Sequence, residues 1–251
     1  MKIKKSIVDN RRNNILNYIK KHKNATTQEL VDKYEVSEIT IRRDLDYLQS
    51  IGKIERYYGG AKVNEILDAK NMLIEEKKHR IAKKCADFIK EYDDIFINSS
   101  STALLVLEYL KNKRINVITN NGKALSLDLD PMITVTLTGG KTSYPKNALT
   151  GSFAINNLKT LASDISIIGI SGITKDGELT TSMMDEVEVN QYMINESTSK
   201  NILVCDSSKF LKVANFKVAS LEKIDIVITD DDIDRNSINM LEKNKVQVIL
   251  V

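Results

Sequence analysis

The sequence predicts a small α+β domain followed by a larger α/β domain whose sheet is mostly parallel. Near the amino end, Ile41, Leu45 and Leu48 recur at helical spacing, and the Gly59–Gly60 pair separates two short strand-like segments. From about residue 80, runs of β-branched apolar residues alternate with helical patterns. This alternation is typical of strands that are buried on both faces of a parallel sheet.

The composition is that of an ordinary soluble globular protein. Of the 251 residues, 42% are hydrophobic and 28% are charged, and the length is sufficient for two cores. No apolar run approaches the roughly 18 residues of a membrane span, and the amino end lacks the apolar segment of a signal peptide. We therefore expect a cytoplasmic protein without a membrane partner. Two cysteines and two histidines, at no metal-binding spacing, predict no metal site, and we expect no cofactor.

The net charge of +3 is unevenly distributed along the chain. Residues 1–62 hold 14 lysines and arginines against eight aspartates and glutamates, whereas the remainder holds 23 against 26. A basic first segment followed by a mildly acidic remainder indicates that the first segment binds nucleic acid and the remainder does not. A lysine-rich composition can also serve only to keep a small domain soluble, so charge alone leaves both interpretations open.

The helix that contains Ile41 is the centre of the first domain. Ser37, just before it, can accept hydrogen bonds from the free amides of its first turn. With Ile41 facing inward, a step of about 100° per residue places Ile39 and Arg43 on the far side, with Arg42 beside them. A short helix that is apolar behind and carries arginines and hydroxyls in front fits the DNA major groove.

The neighbouring segments complete a winged helix-turn-helix. Residues 9–23 predict a first helix, and residues 26–29 form a capping box that opens a second one. Residues 35–36 are the tight turn before the third helix. Residues 52–61 read as two short strands around a glycine pair, which is the pattern of a wing.

These motifs resemble those of a known family over residues 11–61. The DeoR family of bacterial transcriptional regulators shows a V-S-x-x-T-I-R-R-D-L recognition helix followed by a G-x-[IL]-x-R-x-x-G-G-A wing. Both are present, at residues 36–45 and 52–61, with Tyr58 where the family most often has histidine. The resemblance implies contacts to double-stranded operator DNA from Ser37, Ile39, Thr40, Arg42, Arg43, Arg56, Tyr58, Gly59 and Gly60.

Residues 64–80 predict a charged, largely helical linker that contains no glycine or proline. Such a segment is a semi-rigid spacer rather than a loose tether. Its apolar positions could also pack against a second copy of the chain, namely Ile66, Leu67, Met72, Leu73 and Ile74. A plain linker is the simpler interpretation.

Strands and helices alternate through the rest of the chain. Strands are predicted at residues 95–97, 116–118, 133–137, 165–169, 201–205, 225–229 and 246–251. Helices are predicted at residues 81–89, 102–110, 155–161 and 186–194.

Polar residues follow five of these predicted strands. In a parallel sheet the carboxyl ends of the strands meet at one edge, where ligands bind. The first loop places hydroxyls at a helix start, where free amides, hydroxyls and the helix dipole suit phosphate. Taken singly, serine runs are usually caps and glycine pairs usually turns, but their coincidence favours a phosphorylated polyol. The predicted contacts are Asn98, Ser99, Ser100, Ser101, Thr102, Thr119, Asn120, Gly139, Gly140, Lys141, Gly169, Ser171, Glu186, Asp206 and Lys209.

The second domain also resembles the DeoR family. The shared features are Thr119, Asn120, Gly139, Gly140, Gly151, residues 164–172, Gly177, Glu186, residues 206–210 and residues 228–230. The resemblance implies a fold similar to ribose-5-phosphate isomerases and CoA transferases, with a domain that senses a phosphorylated sugar. In the first loop the family commonly has Asp-x-Gly-[ST]-Thr, whereas this chain has Asn98 and Ser100 at the Asp and Gly positions.

The leading hypothesis is a repressor of a carbohydrate operon whose DNA affinity is controlled by a sugar phosphate. On this hypothesis residues 1–63 bind DNA, residues 64–80 link, and residues 81–251 sense the effector and oligomerise. Because one winged helix reads few base pairs, we expect a homodimer or homotetramer.

Two alternatives come from other classes. One is a sugar-phosphate isomerase with an accessory DNA-binding domain, which would need a carboxylate base. Asn98 stands where a second carboxylate would help, and no strand-end loop holds a histidine, so we expect no enzyme. The other is an architectural or activating DNA binder whose second domain only oligomerises.

Overall fold

A computed structural model describes residues 5–143 and 146–251, except for the side chains of residues 5, 6, 67 and 68. The chain divides into two compact units, Met1–Ile74 and Glu75–Val251. No helix in the part of the chain that the structure describes is long and apolar enough to cross a membrane.

The first unit is a winged helix-turn-helix, as the sequence predicts. Its elements are α1 (Lys5–His22), β1 (Asn24–Thr26), α2 (Thr27–Tyr34), α3 (Glu38–Ser50), β2 (Ile54–Tyr57) and β3 (Gly60–Val63). The three strands form one antiparallel sheet in the order β1-β3-β2. The wing is therefore the β2–β3 hairpin, and β1 extends its sheet.

Local capping explains where the two motif helices begin. Thr26 Oγ1 accepts a hydrogen bond from the Glu29 amide at 3.2 Å, and Glu29 Oε2 accepts one from the Thr26 amide at 2.6 Å. This reciprocal pair is the predicted capping box of α2. Glu35 then takes a left-handed conformation (φ 52°) that ends α2, and Ser37 caps α3 by accepting from the Thr40 amide at 3.4 Å.

The core of the first unit is formed by the apolar faces of its helices together with buried residues of its three strands. Ile41, Leu45 and Leu48 of α3 are at most 2% exposed, and they pack in one cluster with Ile15 and Ile19 of α1. The helical spacing in the sequence therefore identifies the buried face of α3 correctly.

The predicted linker and the helix expected after it form one continuous helix, α4 (Glu65–Ala86). Of its apolar positions, Ile66, Met72 and Leu73 are exposed, and the side chain of Leu67 lies outside the described residues. With no glycine or proline between residues 64 and 86, nothing in the backbone chemistry interrupts the helix.

The second unit contains the predicted alternation of strands and helices. In chain order its elements are β4 (Asp94–Ile97), α5 (Ser101–Leu105), β5 (Ile115–Thr119), β6 (Ile133–Leu137), β7 (Lys141–Ser143), β8 (Ala148–Thr150), α6 (Ser152–Leu158), β9 (Ser163–Ile168), β10 (Gly172–Ile173), β11 (Glu178–Thr181), α7 (Val187–Asn195), β12 (Ser197–Val204), β13 (Phe216–Ser220), β14 (Ile226–Thr229), α8 (Arg235–Lys243) and β15 (Gln247–Leu250).

Seven strands form one parallel sheet in the order β15-β14-β12-β9-β4-β5-β6. Side chains alternate between the two faces, so Ile95 and Ile97 of β4 join one hydrophobic cluster and Phe96 joins the other. One cluster includes the end of α4 together with α5, and the other includes α6, α7 and α8. The predicted parallel sheet with both faces covered is thus confirmed.

Several small elements escape the sequence pattern. The hairpin β7–β8 and the antiparallel sheet β10-β11-β13 consist of strands of two to five residues, which are too short for a clear alternation. The helix predicted at residues 102–110 ends as α-helix at Leu105 and continues as a 3-10 helix, Val106–Tyr109. The sequence analysis also missed α8, although Asp234 caps it through the Ser237 amide at 3.0 Å.

Candidate functional site

The exposed face of α3 carries the residues expected at DNA. Ile39 is 64% exposed, and Arg42 and Arg43 are both exposed. Arg42 donates through a terminal guanidinium nitrogen to Glu38 Oε1 at 2.5 Å. Arg43 has no hydrogen bond or ion pair with any described residue, so on this face its guanidinium is available without breaking an internal contact.

Ser37 and Thr40 lie at the start of the same helix. Their hydroxyls are 2.9 Å apart and share a hydrogen bond, while Ser37 also caps the Thr40 amide. Both side chains therefore hold the helix start in place, and Ser37 caps it as the sequence predicts.

The wing contributes an exposed aromatic tip. Tyr58 is fully exposed, and Gly59 beside it has φ +89°, a conformation that suits glycine in a tight turn. Gly60 is buried, and a Cβ there would overlap the carbonyl oxygen of Ala25 on β1. Arg56 of β2 forms an ion pair with Asp46 of α3, which joins the wing to the recognition helix.

Asp44 is the buried charge that orients α3. It is 1% exposed and accepts from Arg11 Nε at 2.6 Å and from Arg12 Nε at 2.9 Å, both on α1. The Arg12 guanidinium also stacks 3.9 Å from the centre of the Tyr47 ring. The sequence motif includes Asp44, but nothing in its local pattern indicates that the partners lie more than 30 residues upstream.

In the second unit, a cavity of about 470 Å³ opens where β4, β5, β9 and β12 end. Eight residues expected to contact a ligand line this cleft: Ser99, Ser100, Ser101, Thr102, Gly169, Ser171, Asp206 and Lys209. The strand order explains this convergence, because β12, β9, β4 and β5 are consecutive neighbours in the sheet.

Other expected contacts lie beside the cleft and make internal hydrogen bonds. Thr119 and Asn120 are fully buried; Thr119 Oγ1 donates to the Ile97 carbonyl at 2.6 Å, and Asn120 Nδ2 donates to the Leu149 carbonyl at 3.2 Å. Gly139 and Gly140 form the turn into β7, with φ of +67° and +105°.

Two charged residues expected at the ligand also lie outside the lining. Lys141 is exposed, with Nζ 3.6 Å from an Asp185 carboxylate oxygen. Glu186 is buried at 1% exposure and accepts from Ser99 Oγ at 2.8 Å, Thr181 Oγ1 at 2.7 Å and Lys146 Nζ at 2.8 Å. Glu186 therefore orients two lining residues, Ser99 and Lys146.

Asn98 also lies behind the lining, as a clamp between β4 and β9. Its Oδ1 accepts from the amides of Gly169 at 3.1 Å and Ser100 at 3.2 Å. Its Nδ2 donates to the Gly169 carbonyl at 2.8 Å and to Asn190 Oδ1 at 3.0 Å. Because the Gly169 amide can only donate and its carbonyl can only accept, the orientation of the Asn98 amide is determined.

We expect Asn98→Asp to destabilise the second unit by about 1–3 kcal/mol, the usual cost of an unsatisfied buried polar group. The new carboxylate would face the Gly169 carbonyl with no proton to donate at neutral pH. Chemical denaturation with hydrogen exchange in β4 and β9 measures the change. Asn236→Asp, at an exposed position of α8, is the matched control, and equal stability of the two variants would contradict the clamp.

Seven lining residues are not among the contacts predicted from the sequence: Lys78, Asn121, Lys123, Lys146, Ile170, Val204 and Cys205. Asn121 and Lys123 directly follow Thr119 and Asn120, which the sequence predicts as contacts, so extending that predicted loop by three residues includes them. Lys78 comes from α4 and Lys146 from the β7–β8 hairpin. No local pattern connects either of these lysines with the strand ends.

The lining is rich in cations. Of its four lysines, Lys78 pairs with Glu75 at 2.6 Å, Lys146 with Glu186 at 2.8 Å, and Lys209 more loosely with Asp206 at 3.9 Å. Lys123 has no carboxylate partner among the side chains that the structure describes. Hydroxyls, an amide and an unneutralised ammonium together suit an anionic, hydroxyl-bearing ligand.

Two other groups, a thiol and a cluster of carboxylates, are not assigned a role in ligand binding. The Cys205 thiol, in the cleft wall, is buried, and this burial raises its pKa far above the usual range, so it stays protonated. Within the described ranges, one set of three carboxylates comes close enough to share an ion, namely Asp230, Asp231 and Asp232. The ammonium of Lys77 already pairs with two of them.

Comparisons with known proteins agree with this architecture. The model of the DeoR-like helix-turn-helix domain matches residues 11–66, and that of the DeoR C terminal sensor domain matches residues 74–231. The glycerol-3-phosphate regulon repressor of Escherichia coli (strain K12) is 32% identical, over 88% of this chain and 90% of the repressor. A putative aga operon transcriptional repressor of Escherichia coli O157:H7 is 27% identical, over 96% and 93% of the two chains.

Among solved structures, ribose 5-phosphate isomerase A of Methanocaldococcus jannaschii is 17% identical with a TM-score of 0.40, over 54% of each chain. That similarity is too distant to bear on function. The two family models together span both units, and the family consists of transcriptional regulators rather than enzymes. The chain therefore belongs to the DeoR family of transcriptional regulators, with an amino-terminal DNA-binding helix-turn-helix and a carboxyl-terminal sensor domain.

Proposed function

We propose that the protein is a repressor of a carbohydrate-metabolism operon and that a phosphorylated sugar in the cleft controls its affinity for operator DNA. Residues 1–63 bind the DNA, residues 64–80 link, and residues 81–251 sense the sugar and form a homodimer or homotetramer. The observation that carries the proposal is the cleft lining, in which hydroxyls of Ser99 to Thr102 stand with four lysines at the sheet edge.

Charge and hydrogen-bonding capacity support this ligand class. A phosphate is dianionic and accepts several hydrogen bonds, which lysine ammonium groups and serine hydroxyls donate. Sugar hydroxyls both donate and accept; in the lining, the Asn121 amide can do both and the Asp206 carboxylate can accept. The relatives named above support the repressor role, since one is named for a glycerol-3-phosphate regulon.

DNA binding with and without ligands tests the proposal. The purified full-length protein is titrated with the DNA upstream of its own gene, at two salt concentrations. The ligand panel contains glycerol 3-phosphate, ribose 5-phosphate, fructose 1-phosphate, fructose 6-phosphate and the corresponding unphosphorylated compounds. We expect one phosphorylated compound to release specific DNA. Specific binding that no compound alters would leave the DNA-binding role intact and overturn the assignment of the cleft.

We expect Lys123→Ala to weaken binding of that compound by at least about tenfold. A hydrogen bond to a charged group contributes about 1.5–3 kcal/mol, and no carboxylate among the described side chains competes for Lys123. Isothermal titration calorimetry measures the affinity directly. Lys243→Ala, at an exposed position of α8 outside the lining, is the control. Equal affinities of the two variants would show that Lys123 does not hold the phosphate.

A further inference from the structure

Lys77 of α4 is held in the second unit by two carboxylates. It is 9% exposed, and its Nζ lies 2.6 Å from Asp230 Oδ1 and 2.5 Å from Asp232 Oδ2. Burial opposes the charged form of Lys77, but the hydrogen bonds to Asp230 and Asp232 outweigh it and raise its pKa. Burial by itself would raise the pKa of Asp230. The hydrogen bonds from Lys77 and Ser207 outweigh burial, so the pKa of Asp230 is lowered. The pair is therefore ionised at neutral pH.

Asp230 is also bonded to Ser207, in the loop that carries two lining residues of the cleft. Its Oδ2 accepts from the Ser207 amide at 2.6 Å, and its Oδ1 accepts from Ser207 Oγ at 2.8 Å. Ser207 begins the 3-10 helix Ser207–Lys209, and the lining residues nearest to it in the sequence are Asp206 and Lys209. One buried carboxylate thus connects the helix α4 with a loop that a ligand would touch.

The residues that follow Lys77 reinforce this attachment. Lys78 lines the cleft, His79 Nδ1 lies 2.8 Å from the Tyr109 hydroxyl, and Arg80 lies 3.6 Å from Asp231. Of these four consecutive residues of α4, Lys77 and Arg80 therefore contact the loop after β14, and His79 contacts the 3-10 helix after α5. Lys78 pairs with Glu75 of the same helix beside the cleft. The same helix begins at Glu65, within the segment that belongs to the first unit.

A purely stabilising role explains this arrangement poorly. A buried ion pair often contributes no more to folding than well-packed apolar side chains of the same size, because both charges lose hydration. What such a pair does supply is one defined geometry. Because Asp230 of this pair also accepts hydrogen bonds from Ser207, a movement of the Ser207 loop changes the geometry of the pair.

We propose that the Lys77–Asp230–Ser207 connection couples the cleft to α4, so that a change in the Ser207 loop alters α4 and, through it, operator affinity. Lys77 is on this account a positioning residue that contacts neither ligand nor DNA. The proposal rests on the proposed function for its consequence at DNA. The coupling inside the second unit stands apart from it.

Hydrogen exchange in the full-length protein tests the coupling without ligand or DNA. Ser207 has hydrogen bonds to Asp230 and, in the described part of the chain, none to α4. We expect Ser207→Ala to raise the exchange rate of amides 75–80 at least threefold, and to have no further effect in the Lys77→Met background. Lys77→Arg should restore the response. No change on Ser207→Ala, or the same increase in both backgrounds, would overturn the connection.

The matched control for Lys77→Met is Lys84→Met on the same helix. Lys84 pairs with Asp87 at 3.1 Å, and both side chains are exposed. Its removal should leave exchange at residues 75–80 unchanged. A merely structural anchor at Lys77 would lower the unfolding midpoint of Lys77→Met, but it would leave the response to Ser207→Ala equal in the two backgrounds.

Operator affinity gives the second readout. We expect Lys77→Met and Ser207→Ala each to change the operator Kd at least threefold in the same direction, and the double variant to match the larger single effect. If neither single variant changed the operator Kd, or if the two changes multiplied in the double variant, the link to DNA would be overturned. If wild type binds no operator specifically, the proposed function fails, and the exchange experiment still decides the coupling.

Discussion

Arg43→Ala is expected to weaken operator binding by about 5- to 150-fold, equivalent to the roughly 1–3 kcal/mol of an arginine that reads a base edge. Arg43 stands on the exposed face of α3, opposite Ile41, and no described residue competes for its guanidinium. Because a base contact carries sequence information, the loss should be larger for the operator than for a scrambled duplex. Fluorescence anisotropy with both duplexes measures the ratio.

Arg42→Ala is the comparison for this prediction. The Arg42 guanidinium is held by Glu38 at 2.5 Å, one helical turn away. We therefore expect a smaller loss that is similar for both duplexes, together with a shallower salt dependence, as for a phosphate contact. If Arg43→Ala bound operator and scrambled DNA as wild type does, the assignment of this face of α3 to the groove would be wrong.

Asp44→Ala is expected to destabilise the first unit by about 3 kcal/mol and to abolish specific DNA binding. Removing one partner of a buried ion pair leaves the remaining charge uncompensated, at a typical cost of about 3–5 kcal/mol. We take the lower end because the side chains of Arg11 and Arg12 are 14% and 21% exposed. Those two arginines fix α1 against α3, so the recognition helix loses its orientation together with stability.

Hydrogen exchange of the slowest amides in α1 and α3 measures this loss for the first unit alone. Asp46→Ala is the matched control, since Asp46 lies on the same helix, is 62% exposed and pairs with Arg56. A surface pair is worth about 0–1 kcal/mol, so this variant should remain close to wild type. Equal losses for Asp44→Ala and Asp46→Ala would mean that the buried pair does not hold α3.

Much of the fold could be predicted because its causes are local. The capping box at Thr26, the cap at Ser37 and the apolar spacing from Ile41 to Leu48 act within a few residues. Each of the seven strands of the parallel sheet overlaps a strand that the apolar pattern predicts. The hairpin β7–β8 has no such pattern, because its three-residue strands pair with each other and with Asn121 rather than with the main sheet.

The candidate cleft could be predicted only in part. The run Ser99 to Thr102 follows a recognisable strand, so its place at the sheet edge follows from topology. Asn98 belongs to the same run, but its amide bonds to Gly169 and Asn190, more than 70 residues away. Whether a residue faces the ligand or its neighbours depends on these distant partners, and a short window of sequence does not contain them.

The main helices of the first unit, the seven strands of the parallel sheet, the solvent face of α3 and the sheet edge where polar loops gather all follow from sequence alone. Periodicity and capping suffice for these features, because they arise from contacts within one or two helical turns or along one strand. The tertiary structure alone decided that Lys78 and Lys146 join the cleft, that Asp44 receives two arginines from α1, and that Lys77 is bound to Asp230. Those contacts depend on the order of the strands in the sheet and on where a helix returns to it. The physical reason is that a buried charge is stabilised only by partners that the folded chain brings to it from a distance.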